Sequence, residues 1–198
     1  MPKKKIIYTH EHPYHVMARS NNKEWFYLPI EICWPIFIAA LKATKQKYGL
    51  GIYEFVLMDN HYHMICQCSE KHKLGEAMNF LQKTTSNAIN KKANRINHVY
   101  GGPYKATLIR EPSHFAEIFK YVARNPVKAG ITPIVEKYKY STINSADITV
   151  LTDDEWFADI PVNRTEWLNI PFEEEKYISI QRALKRTEFK LAKRTRFD

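Results

Sequence analysis

Cysteine is scarce, long apolar runs are missing, and acidic residues are too few to balance the basic ones. Only 3 cysteines occur in 198 residues, Cys33, Cys66 and Cys68, an odd count at spacings that match no disulfide framework. No stretch approaches about 18 consecutive apolar residues, and the run Pro2-Lys3-Lys4-Lys5 has no apolar segment behind it. Neither a membrane span nor a secretory leader is therefore expected, and the expected location is cytoplasmic. A Gly-x-x-x-x-Gly-Lys-Ser/Thr loop is absent, so nothing points to nucleotide hydrolysis. Internal repeats and low-complexity tracts are absent too. What remains, 44% hydrophobic, 13% aromatic and 26% charged, is the composition of a globular protein with a real core.

The charge is unevenly placed. Against 21 Asp and Glu stand 30 Lys and Arg, a net of +9. Residues 1–130 hold 19 basic against 9 acidic side chains, residues 131–180 hold 4 against 10, and residues 181–198 hold 7 against 2. A basic body, an acidic segment and a basic tail follow one another, and the basic body raises nucleic acid as a partner.

Periodicity gives a coarse order of elements. Residues 6–18 alternate loosely into the polar turn Arg19-Ser20-Asn21-Asn22 and read as a strand. Over 29–48 the spacing of Ile32, Ile36, Ala39 or Ala40, and Ala43 predicts a helix ending at Gly49, with regular structure starting near Pro35. Segments 52–58 and 61–68, split by Asp59-Asn60, read as a strand pair. Leu74, Ala77 or Met78, Leu81 and Ile89 mark a long helix with Lys83, Asn87, Lys91 and Lys92 on its other face. A short strand is expected over 104–109. A further helix, carrying Phe115, Ile118, Phe119 and Val122, is expected after Pro112 with Ser113 as N-cap and an end near Asn125. The order βαββαβα predicts an α+β fold with a mostly antiparallel sheet and helices on one face, plus a C-terminal appendage packed by aromatics. The tail, 177–196, is expected to form a basic helix.

Two groups of residues can carry chemistry. In His61-Tyr62-His63, strand alternation sends His61, His63, Ile65 and Gln67 to one face and Tyr62, Met64, Cys66 and Cys68 to the other. Paired imidazoles suit a metal, although such a pair alone is more often solvated or hydrogen-bonded. The same alternation separates the cysteines from the histidines and assigns them to the core. Tyr121 and Asn125, four apart, share a helix face; a phenol can be a nucleophile and an amide oxygen a metal ligand, while an apolar-stripe aromatic and a helix terminator are the plain readings.

These residues stand in recognisable runs. Tyr14-His15-Val16 with Arg19-Ser20-Asn21-Asn22, then Phe55-Val56-Leu57-Met58-Asp59-Asn60-His61-Tyr62-His63, Tyr104-Lys105-Ala106, and Tyr121-Val122-Ala123-Arg124-Asn125-Pro126-Val127-Lys128-Ala129-Gly130 follow in order. Together they resemble the single-tyrosine HUH transposases, and among them the REP-associated tyrosine transposases, over roughly residues 6–140. Asp59 stands where that family usually has proline, adding a carboxylate beside the site.

The resemblance implies a ferredoxin-like fold in which a catalytic domain, 1–140, precedes a C-terminal extension, 141–198. It implies that the tyrosine helix lies across the sheet face bearing the histidines. It also implies His61, His63 and Asn125 as ligands of a divalent metal, Mg²⁺ or Mn²⁺, and Tyr121 as the nucleophile that cuts single-stranded or hairpin DNA to a 5′-phosphotyrosine and a 3′-OH. Arg19, Lys83, Lys91, Lys92, Arg95, Lys105 and Arg110 are the expected phosphate contacts, and Tyr14, Tyr100 and Tyr104 can stack bases. The extension favours a monomer over a dimer. Two other readings stay open: a non-cleaving nucleic-acid-binding regulator on the same fold, and a hydrolytic zinc enzyme needing a further His, Asp or Glu near His61 and His63.

Overall fold

The computed structural model describes residues 6–152 and 154–191. The frame is set by β2 (Gly51–Leu57) and β3 (His61–Gln67). Met58 N donates to His61 O at 2.8 Å, closing the turn over Asp59 and Asn60. With β1 (Tyr14–Arg19) and β4 (Lys105–Leu108) they form a four-stranded antiparallel sheet of order β2-β3-β1-β4. The fold is α+β, as the element order requires. β1 begins later than residue 6 because the chain before it folds back: Tyr14 Oη accepts from Thr9 N at 2.7 Å and donates to Ile7 O at 2.8 Å.

One face of the sheet is covered by α1 (Ile30–Tyr48) and α2 (Leu74–Ala93). α1 starts at Ile30 and runs through Pro35, whose missing N–H forgoes only one bond. Its Cys33, Phe37 and Leu41 are buried in the core with the strand residues Val16, Phe55, Tyr62 and Met64. The expected stripe Ile32, Ile36 and Ala39 lines instead the seam with Thr84 and Ala88 of α2. The face bearing Cys33, Phe37 and Leu41 thus takes the sheet and the neighbouring face the helix partner. On α2, Leu74, Ala77, Met78, Leu81 and Ile89 are buried, while Lys83, Asn87, Lys91 and Lys92 are exposed. Cys66 belongs to this core and Cys68 packs partly buried against it; both are free thiols, on the side away from His63.

The second face receives α3 (Pro112–Ala123) and is also covered by later residues, so helices lie on both faces of the sheet and not on one as expected. α3 is entered from Glu111 with Pro112 in its first turn, so Ser113 lies inside it and not at the cap. It ends at Ala123, and a new turn, α4 (Asn125–Lys128), follows. Phe115, Ile118, Phe119 and Val122 join Val56 and Ile65 in a second core with Trp156, Leu168, Ile180 and Phe189. These last come from α5 (Asp154–Phe157), α6 (Arg164–Asn169), α7 (Glu174–Ala183) and the strand-like residues after it.

The same C-terminal chain seals both edges of the sheet. Along β2, Leu57 N donates to Tyr140 O at 3.0 Å, Thr142 N to Phe55 O at 2.9 Å and Leu151 N to Ile52 O at 2.7 Å. Along β4, Leu108 N donates to Thr187 O and Phe189 N to Leu108 O, both at 2.9 Å. That pairing stops α7 at Ala183: residues 187–189 extend along β4 and do not continue the expected helix, whose last part, 192–196, lies outside the described residues. Among the described residues, no helix is long and apolar enough to cross a membrane.

Candidate active site

Register decides which side chains meet on the second face. Opposed residues of antiparallel strands share a face. One row therefore carries Val56, His63, Met17 and Lys105; the row on one side carries Glu54, Ile65, His15 and Thr107; at the other end His61 stands opposite Arg19. His15 and His63 are diagonal neighbours, and β1 thereby brings a third imidazole to the pair named from sequence.

The rings form a chain of contacts. His61 and His63 lie 5.1 Å apart, centroid to centroid, at 82°. His63 meets the Tyr121 ring at 5.9 Å and 87°, and Tyr121 in turn meets Tyr177 of α7 at 5.4 Å. Both δ nitrogens of the pair are engaged. His61 Nδ1 donates to Asn60 Oδ1 at 2.7 Å, and Asn60 Nδ2 donates to Lys23 O at 2.7 Å, which fixes the amide. His63 Nδ1 lies 2.8 Å from His15 Nε2.

Burial tunes the site toward neutral imidazole. The pKa of His61 is pushed down to about 4 by burial and then by the Arg19 charge. His63 is held well below the ordinary range by burial, followed by His15, His61 and Arg19. His15 is pushed down to about 3 by burial alone. Neutral rings keep a lone pair for a cation at physiological pH. Tyr121 is only 6% exposed, and burial first, then Tyr177, raises its pKa well above the usual phenol range; hydrogen bonding with Gln181 and the charge of Arg19 oppose this. Arg19 thus acts electrostatically on His61, His63 and Tyr121 alike.

Asn125 sits one turn beyond Tyr121. Its Nδ2 donates to Tyr121 O at 2.9 Å and Val122 O at 3.5 Å, which leaves Oδ1 as the donor atom it offers. Its hydrogen bonds run to its own helix and not to the histidines. Among the described residues, no group of three His, Cys, Asp or Glu is arranged to hold a metal. A donor set of two imidazoles and an amide oxygen would suit Mn²⁺ or Mg²⁺ better than a zinc centre. His15 adds no ligand to it, since its Nε2 is engaged with His63. The charge of Asp59 acts on Cys33, Tyr138 and Tyr140, and not on either histidine of the pair.

The expected phosphate contacts separate into groups. Arg19 and Lys105 line a groove of about 380 Å³ with Asn21, Asn22 and Lys23. Lys83 lines a second, of about 540 Å³, with Asn87, Asn90 and His98; the two grooves share Gly102 and Pro103. Lys91 and Lys92 are exposed near the end of α2. The Arg95 guanidinium lies 3.7 Å over the Tyr27 ring, beside Trp25, which is 63% exposed. Arg110 pairs with Glu188 at 3.3 Å, away from the grooves. Tyr14 is buried in the first core, and Tyr100 hydrogen-bonds Thr85 at 2.7 Å.

Sequence reasoning assigned no role to His15, Asn60, Trp25, Tyr177 or Gln181. His15 stood inside a quoted run, yet only cross-strand register shows that it reaches His63. Nothing in the local sequence announces that Tyr177 and Gln181 cover the tyrosine.

Comparison with known proteins bears on the family and the fold. The family described as "Transposase IS200 like" matches residues 8–125. No curated protein matches the chain. Among solved structures, a REP-associated tyrosine transposase bound to a REP hairpin superposes with a TM-score of 0.64 at 17% identity, covering 72% of this chain and 82% of that one. A putative transposase from Deinococcus radiodurans gives a TM-score of 0.42 at 11% identity, over 62% of this chain and 94% of that one. The family match spans the sheet, the histidine pair, Tyr121 and Asn125, and the chain belongs to the IS200-like transposases.

Proposed function

We propose that the protein is a single-stranded DNA endonuclease and strand-transferase that uses Tyr121 as its nucleophile. The observation that carries this is the packing of the Tyr121 ring edge-on against His63, within the electrostatic reach of Arg19. The Tyr121 oxygen forms a bond to the scissile phosphorus and the bond to the 3′ oxygen breaks. The phenol proton leaves and the released 3′ oxygen takes one, so one phosphodiester replaces another with little change in energy. The step is reversible, in keeping with a chain that has no nucleotide-hydrolysis loop.

His61, His63 and Asn125 are the residues that would hold a divalent metal, Mn²⁺ or Mg²⁺. When bound, such an ion polarises the phosphoryl oxygen and stabilises charge on the leaving oxygen. Arg19 attracts the same phosphate from the strand end. Arg19, Lys23 and Lys105 guide the strand through the first groove, and Lys83 through the second. Trp25 offers an exposed ring on which an unpaired base can stack. The hairpin bound by the REP-associated transposase supports a hairpin substrate here.

Labelled hairpin DNA with a single-stranded flank, incubated with Mn²⁺, is expected to give a covalent protein–DNA adduct that Tyr121→Phe abolishes. An adduct that survives this substitution overturns the assignment. A second reading, a non-cleaving binding protein, draws on the burial of the Tyr121 hydroxyl beneath Tyr177 and Gln181. Salt-dependent hairpin binding with no adduct under any divalent metal would favour it.

A further inference from the structure

We propose that His15 and Asn60 are positioning residues that fix the tautomers of His63 and His61, so that both rings, on one face of the sheet, keep an unprotonated Nε2. The inference rests on the reading of His61 and His63 as ligands. It goes further by assigning work to two residues outside that ligand set.

A neutral imidazole has one N–H and one lone pair, and only the nitrogen without a proton can ligate. For His61 the choice follows from the amide beside it. Asn60 Nδ2 is committed to Lys23 O, so Asn60 turns its oxygen to His61, and His61 Nδ1 must carry the proton. The lone pair is left on Nε2.

For His63 the choice is made by one other histidine. Its Nδ1 lies 2.8 Å from His15 Nε2, a distance that requires one proton between two nitrogens. If that proton belongs to His63, the His63 lone pair is on Nε2 and His15 carries its own proton on Nδ1. The opposite assignment places a proton on His63 Nε2 and blocks ligation; the 2.8 Å contact by itself fits both, and the first is the one proposed. His15 is 4% exposed and the two rings are inclined by only 28°, so water does not compete for this contact. The partner is built into the fold: the β1–β3 register sets His15 diagonal to His63, with Tyr14 and Val16 on either side anchored in the opposite core. Partners of this kind, which hold the second nitrogen of a ligating histidine, typically contribute about 10–100-fold to metal affinity.

Long-range ¹H–¹⁵N correlation of the histidine ring nitrogens in the metal-free protein reads the tautomers directly, and Mn²⁺ titration by electron paramagnetic resonance reads affinity. Wild type is expected to show both His61 and His63 protonated on Nδ1. His15→Leu removes the acceptor and is expected to let His63 populate both tautomers and to weaken Mn²⁺ binding about 10–100-fold. His15→Gln restores an acceptor oxygen near the former Nε2 and is expected to recover most of both. Asn60→Ala, in the turn between β2 and β3, is expected to do for His61 what His15→Leu does for His63, and serves if His15→Leu fails to fold.

A wild-type His63 protonated on Nε2, or unchanged Mn²⁺ affinity and tautomers in both His15→Leu and Asn60→Ala, overturns the proposal. If wild type binds no Mn²⁺ while the tautomers respond as described, the metal reading falls and the positioning role stands.

Discussion

Arg19 is the residue on which the electrostatics of the site converge. It stands opposite His61 in the β1–β3 register, and its charge depresses both ligand-candidate histidines and lowers the cost of ionising Tyr121. A fixed cation at the place where negative charge gathers needs no reorganisation during the reaction. Arg19→Ala is expected to slow adduct formation by about 10²-fold while leaving the sheet intact, read in single-turnover assays against circular dichroism. Lys at the same position would recover only part of the rate, because a point charge replaces a planar two-pronged donor.

At the level of the strand, β2 carries an unusual burden. Glu54 is 0% exposed, neither carboxylate oxygen has a hydrogen-bond partner among the described residues, and burial raises its pKa well above 4.5, opposed only by the charge of Arg164. The folded protein therefore keeps this proton after the unfolded chain has lost it. Its contribution to stability is complete below about pH 4.5 and is lost as pH rises toward the folded-state value. Glu54→Leu should remove that slope and stabilise the protein by about 1–3 kcal/mol, with the gain larger at pH 8 than at pH 5 in urea titrations. Equal stability of both proteins at both pH values would refute the account. The helix α7 also has a distinct role. Lys128 pairs with Glu174 at 2.7 Å and Lys176 with Glu117, which fastens α7 to α3 and α4 over Tyr121. Part of the acidic segment thus serves to dock this helix.

Over the whole molecule, charge and edges divide the work. The grooves beside β1 and α2 hold Arg19, Lys23, Lys83 and Lys105, whereas Arg110 lies outside both and pairs with Glu188. Lys83→Ala and Lys105→Ala are each expected to lower the slope of log affinity against log salt by about 1, and Arg110→Ala to leave it unchanged. Equal effects of all three would mean that the grooves do not track the strand. Because residues 140–151 pair along β2 and 187–189 along β4, no long strand edge among the described residues is open to a second copy. The protein is expected to sediment as a monomer at micromolar concentration, and a dimer that persists on dilution would show that another surface pairs.

The sequence by itself determined the elements and the chemical types. Alternation in 61–67 separated His61 and His63 from Cys66, and period in 112–123 placed Phe115, Ile118, Phe119 and Val122 on one face, because each pattern is written by neighbours along the chain. It misjudged features that depend on remote partners: the stripe of α1 that meets the sheet, the start of β1 and the end of α7. Only tertiary structure decided that His15 reaches His63, that Asn60 is held by Lys23, that the Asp59 charge acts on Tyr138 and Tyr140, and that Tyr177 and Gln181 cover Tyr121. Each of these is a contact across strands or between distant segments, set by register and packing, and no local periodicity encodes it.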